Sequence, residues 1–172
     1  ITITQPNAAA LVVNMDTNSS INATNAGQDI TFNGTGITMN NAGGGLINAN
    51  DLVALNGAGG AVSVNVDRIN GSITGTGTSV SVTTDDAVGN LNVGTAAGGT
   101  LTSTAGNLTL ASANNITYQG DATATGGNLT STSGVTGITT VNNNADVSAS
   151  GSTIINTPTL TLVDASTVNA GT

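Results

Sequence analysis

Short apolar–polar–apolar runs, each closed by glycine or asparagine, recur along almost the whole of this chain. Examples are Ile30-Thr31-Phe32, Ile37-Thr38-Met39, Val62-Ser63-Val64-Asn65-Val66, Val80-Ser81-Val82, Leu91-Asn92-Val93, Leu108-Thr109-Leu110, Ile116-Thr117-Tyr118 and Leu160-Thr161-Leu162. A period of two sends alternate side chains to opposite faces, so each run reads as a strand with one buried side. The breaks Asn33-Gly34, Asn56-Gly57, Asn70-Gly71, Gly43-Gly44-Gly45 and Gly98-Gly99 read as turns, because Gly and Asn tolerate positive φ. No window of about 11 residues keeps a clean 3.6 period, so no substantial helix is expected.

Turn-plus-strand units also repeat one another. Gly98-Gly99-Thr100-Leu101-Thr102-Ser103-Thr104 parallels Gly126-Gly127-Asn128-Leu129-Thr130-Ser131-Thr132, and both resemble Gly106-Asn107-Leu108-Thr109-Leu110. Repetition at this spacing points to a solenoid. A β-sandwich needs a core about 10 Å thick, usually filled with aromatics. Phe32 and Tyr118 are the only aromatic residues. A narrow coil takes one thin layer of Val, Ile, Leu, Ala and Thr instead. The expected fold is an all-β parallel β-helix, a single domain over residues 1–172, with about 20 residues per coil and roughly eight coils stacked at about 4.8 Å. Disorder is disfavoured by a hydrophobic content of 37%, rich in Val and Ile, and by only two prolines, Pro6 and Pro158.

What the chain lacks narrows its chemistry. Charged residues make up 6%, against about 25% in ordinary domains. Arg68 is the only base, and Lys, Glu, His, Cys and Trp are absent. Neither the nitrogen and sulfur metal ligands nor a Ser–His or Cys–His pair can be assembled. No catalytic residue, metal ligand or cofactor-binding residue is therefore assigned, and no cofactor is expected. A net charge of -8 with one cation disfavours nucleic acid and anionic membrane surfaces as partners. No apolar run reaches the roughly 18 residues of a membrane span. The chain begins at Ile1 without an initiator Met and reads as a mature protein or an excised fragment.

The units Gly106-Asn107-Leu108-Thr109-Leu110, Gly127-Asn128-Leu129-Thr130 and Gln28-Asp29-Ile30-Thr31-Phe32 resemble the repeats of filamentous-haemagglutinin-type exoproteins of the two-partner secretion pathway. Autotransporter passenger domains have a similar texture. The resemblance is clearest over residues 28–135. It implies a right-handed parallel β-helix, exported across an outer membrane and displayed on a bacterial surface as an adhesive or structural fibre. Extracellular localisation follows from it, with self-contacts through further coils and host-cell or surface glycans as partners. The Asn-Pro-Asn-Gly type motif of the secretion domain is absent, and Gln5-Pro6-Asn7 is its nearest counterpart.

The remaining motifs admit blander readings. Nine Asp residues are the only acids: Asp16, Asp29, Asp51, Asp67, Asp85, Asp86, Asp121, Asp146 and Asp164. Asp85-Asp86 offers hard oxygen ligands for calcium, but the calcium β-roll nonapeptide does not occur, and Asp is a routine turn residue. Asp67-Arg68 reads as a surface pair. Seven glycosylation sequons, at Asn18, Asn22, Asn33, Asn70, Asn107, Asn115 and Asn128, suit a chain this rich in Asn, Ser and Thr. The Thr-x-Thr pairs at Thr74/Thr76, Thr100/Thr102, Thr123/Thr125 and Thr157/Thr159 raise an ice-binding β-helix as a minor alternative. An open strand edge at each end of a solenoid raises a stronger one, a self-assembling extracellular homopolymer. An enzyme is not expected.

Overall fold

The computed structural model describes residues 1–16, 18–40 and 44–171. Gly43 of the Gly43-Gly44-Gly45 break lies outside them. Within them the chain forms twenty strands and no helix. The strands wind in coils of three. The first coil holds β1 (Thr2–Thr4), β2 (Leu11–Asn14) and β3 (Ser20–Ala23). The second holds β4 (Ile30–Gly34), β5 (Ile37–Asn40) and the start of β6 (Leu46–Gly57). The rest of β6, β7 (Val62–Val66) and the start of β8 (Arg68–Gly77) make the third. The fourth takes the rest of β8, β9 (Val80–Thr84) and β10 (Leu91–Val93). β11 (Leu101–Ser103), β12 (Leu108–Ser112) and β13 (Ile116–Tyr118) form the fifth, and β14 (Ala122–Ala124), β15 (Leu129–Thr132) and β16 (Ile138–Val141) the sixth. β17 (Asp146–Ala149), β18 (Thr153–Asn156) and β19 (Thr159–Leu162) close the seventh, and β20 (Thr167–Asn169) opens another.

Every pairing is parallel, and each strand meets its counterpart one coil away. Three faces result. Face 1 stacks the first strand of each coil, face 2 the second and face 3 the third. Face 2 is a separate seven-stranded sheet. Faces 1 and 3 join into one 13-stranded sheet, because β6 and β8 run through the corner between them. The expected parallel β-solenoid is the observed fold. It has about seven turns of roughly 23 residues, fewer and longer than the spacing of the runs suggested. The extra residues lie in long corners, such as 85–90 and 94–100.

Three expected turns are strand instead. Asn70-Gly71 lies inside β8, and Asn33-Gly34 and Asn56-Gly57 close β4 and β6 without leaving the extended state. Gly71, at φ +105°, bends β8 where a Cβ would press on the Asp51 carbonyl and the Ala49 methyl. β6 takes the same corner with two more residues, which shifts the register between Asn48 and Leu52. The Gly98-Gly99 turn is as expected, with Gly98 at φ +93°.

The core is a single file of inward side chains, among them Phe32, Leu55, Val64, Val82, Leu110, Ile116 and Leu129, each at most 1% exposed. Buried polar groups run from coil four to coil six, beginning with Thr74 and Thr84. Ser103 is fully buried, and its hydroxyl donates to the Gly106 carbonyl at 2.8 Å. The hydroxyls of Tyr118, Ser131 and Thr139 are buried without a well-directed hydrogen bond. Burial pushes the Tyr118 phenol far above the ordinary tyrosine range, and the Ser131 hydroxyl beside it draws it back only in part. The folded state therefore keeps a proton that the unfolded chain releases above about pH 10. Stability is expected to fall as pH rises past that value, with a slope approaching about 1.4 kcal/mol per pH unit. In an alkaline titration, phenolate absorbance should emerge only together with loss of the β-sheet circular dichroism signal. Phenolate forming near pH 10 in an intact fold would refute the burial of this hydroxyl.

Candidate functional site

With the apolar residues turned inward, the outward positions carry whatever the molecule presents to its surroundings. On face 1 one outward row runs Thr4, Asn33, Asn56, Thr76, Thr102, Thr123, Ser148 and Asn169, in register across every coil. The Asn33 amide donates to Thr4 Oγ1 at 3.2 Å, and the Asn56 amide to Asn33 Oδ1 at 2.9 Å. Face 3 repeats the device. Asn70 donates to Asn48 at 3.1 Å and Asn48 to Asn22 at 3.3 Å. An amide carries both donor and acceptor, so identical residues stacked at the strand spacing satisfy one another.

Corner side chains tie successive coils in a second way. Asn107 Oδ1 accepts from the Asn128 amide nitrogen of the backbone at 3.0 Å, and Asn128 Oδ1 accepts from that of Ser152 at 2.9 Å. Asn115 and Asp121 do the same for Ile138 at 2.7 Å and Asp146 at 2.9 Å. These Asn and Asp residues act as staples between coils. Of the sequon residues, Asn22, Asn33, Asn70, Asn107, Asn115 and Asn128 all hydrogen-bond within the fold. Ladders of stacked Asn and Thr are expected from the sequence at the turns, but those of Asn22, Asn48 and Asn70 and of Thr4, Asn33 and Asn56 lie on strand faces instead. The side-chain-to-backbone staples of Asn107, Asn115 and Asn128 carry no such signal in the sequence.

The acids are unevenly distributed. Asp16, Asp67, Asp85 and Asp86 lie at the corner that follows face 2, and Asp29, Asp51, Asp121, Asp146 and Asp164 at the corner that follows face 3. The corner between faces 1 and 2 has no charged residue, and neither has any strand of face 2. Arg68 pairs with Asp86 of the next coil, Nε to Oδ2 at 3.2 Å, rather than with its chain neighbour Asp67. Its Nε makes no directed hydrogen bond, so this is an ion pair by distance alone. Asp67 titrates above the usual carboxylate range. Desolvation is the first cause, the hydrogen bond and charge of Asp85 and the charge of Asp86 add to it, and Arg68 opposes them. A shallow cleft of about 340 Å³ opens nearby between residues 18–20, residues 44–46 and Asp67. Its lining carries the Asp67 carboxylate and the hydroxyls of Ser19 and Ser20. Among the described residues, no three acidic, His or Cys side chains gather to hold a metal ion.

The four Thr-x-Thr pairs do not assemble into one array. Thr76, Thr102 and Thr123 share the row on face 1, and Thr74 is buried. The hydroxyls of Thr125 and Thr157 donate to backbone carbonyls, of Thr104 at 3.0 Å and Thr159 at 2.9 Å. No helix among the described residues is long and apolar enough to cross a membrane. No family model, curated protein or solved structure matches this chain.

Proposed function

We propose that this chain is a non-catalytic segment of an extracellular structural or adhesive rod, of the kind borne on bacterial surfaces by filamentous-haemagglutinin-like exoproteins. The single observation that supports this best is the row of uncharged Thr, Asn and Ser side chains in register along every coil of face 1. Length, stiffness and an uncharged polar surface are its working properties. Glycans, which offer hydroxyls to hydroxyl and amide groups, are the fitting partner class. Small-angle scattering over a concentration series, paired with a glycan-binding screen, tests the reading. The expected result is a rod about 35 Å long, seven coils at about 4.8 Å, that binds neutral glycans and leaves polysaccharide viscosity unchanged. A fall in viscosity on adding the protein would overturn the non-catalytic reading.

A second reading has its own observation. The inward-facing Leu160, Leu162 and Val168 of the last coils are 45%, 54% and 36% exposed, while their register partners Thr139, Val141 and Val147 are fully buried. Further coils of the same chain would cover these side chains, and in a homopolymeric filament the coil of another copy would do so. Rods that lengthen with concentration, and stop doing so in a Leu160→Asp, Leu162→Asp variant, would favour the filament over the single rod.

A further inference from the structure

The distribution of charge around the rod singles out face 2. Its strands contain no charged residue, and one flanking corner is likewise uncharged. Its outward positions form two rows. The first runs Val12, Thr38, Ser63, Ser81, Thr109, Thr130 and Ile154 in register, with hydroxyls at its five middle levels and an exposed apolar side chain at either end. Among the described residues, none of these five hydroxyls hydrogen-bonds within the chain, in contrast to the self-satisfied asparagines of faces 1 and 3. Face 2 thus presents open donors and acceptors at the strand repeat of about 4.8 Å.

We propose that two copies of this rod pack side by side and parallel, face 2 against face 2. A second copy is the occupant that fits for three reasons. Its face carries the same repeat, so every strand level meets an equivalent level with no accumulated mismatch. A charged partner would find nothing to pair with, whereas an identical face brings no charge to be desolvated. A two-fold axis along the rod also sets each acidic corner, with Asp67, Asp85 and Asp86, beside the partner's uncharged corner. The antiparallel alternative would set the two acidic corners together. Seven strands of about five residues cover roughly 500 Å² per copy, or about 1,000 Å² in all, at the low end of specific interfaces. The pairing is therefore weak and reversible at this length. Because each copy carries -8, it tightens as salt screens the repulsion. It rests on the solenoid fold and not on the adhesive reading.

Sedimentation equilibrium of the full chain, in about 0.15 M and about 1 M salt, is the test. The expected result is a monomer–dimer equilibrium whose dissociation constant falls in high salt. Ser81→Asp with Thr109→Asp should raise that constant at least about tenfold. The charge-matched pair Asn92→Asp with Thr117→Asp, on face 3, should leave it within about twofold. Circular dichroism confirms that both variants fold. The chain has no cysteine, so a Thr38→Cys chain mixed with an Asn40→Cys chain reports orientation cleanly. The two-fold brings the row of Thr38 opposite the partner's row of Asn40, so under mild oxidation these two chains cross-link in a parallel dimer, whereas in an antiparallel one coil two would meet coil six. A monomer under all conditions, equal weakening by both variant pairs, or a dimer in which the Thr38→Cys and Asn40→Cys chains fail to cross-link would overturn the proposal. So would a monomer that binds ice or crystalline polysaccharide through Ser81 and Thr109.

Discussion

Replacing Gly75 by alanine is expected to remove about 3 kcal/mol or more of stability, a large share of the 5–15 kcal/mol typical of a domain. Gly75 lies at φ +138°, and a Cβ built there falls onto the Leu55 carbonyl. The strand cannot move aside. Leu55 and Leu101 flank Gly75 in register, and its own N–H donates to the Thr100 carbonyl at 2.9 Å. Gly59 and Gly98 are controls with positive φ and open space around them. Alanine there should cost only about 1 kcal/mol, the backbone part alone. Urea midpoints for the three variants separate the steric share from the conformational one. Equal losses at Gly75 and Gly98 would show that the close approach to Leu55 is without consequence.

Tyr118→Ala should be at least as damaging, at about 3–5 kcal/mol. Tyr118 is the largest fully buried side chain and lies in register between Val93 and Val141. The strands around it contribute small inward residues, Ser103, Ala122, Ala124 and Ser131, so the ring fills space that nothing else reaches. Phenylalanine gives a different result. The Tyr118 hydroxyl makes no well-directed hydrogen bond, although the Ser131 hydroxyl lies beside it, so its removal should change stability by less than about 1 kcal/mol. A Tyr118→Phe variant weaker than the parent by more than about 1 kcal/mol would mean that the hydroxyl is paired.

The strands themselves were legible because alternation is a local property. Val62-Ser63-Val64-Asn65-Val66 and Leu108-Thr109-Leu110 fall within β7 and β12 with the expected apolar side inward. Thinness of the core was legible from the scarcity of aromatics. Polar core positions were not marked as such. In Leu129-Thr130-Ser131 the serine takes the inward place by alternation, although composition would send it outward. Register was also hidden. Val62 pairs with Val80, but Val80 pairs with Leu108, because corners of unequal length separate equivalent strands. Which outward residues share a row depends on those pairings, so the rows of faces 1 and 2 emerge only in three dimensions. The segregation of Asp to two corners was hidden for the same reason. The Asp67–Arg68 pairing was misjudged because the nearest acid along the chain is not the one that the next coil supplies.

Parallel stacking also has a mechanical meaning. The hydrogen bonds between coils run along the axis of the rod, so a pull along that axis loads them in tension, a few at a time, and not all together in shear. An end coil with only one neighbour yields first. Each coil of about 23 residues that peels away releases roughly 75 Å of slack at about 3.3 Å per residue, in place of the about 4.8 Å it occupied in the stack. The rod would lengthen in discrete steps many times its folded rise per coil, absorbing work while the remaining coils keep their shape.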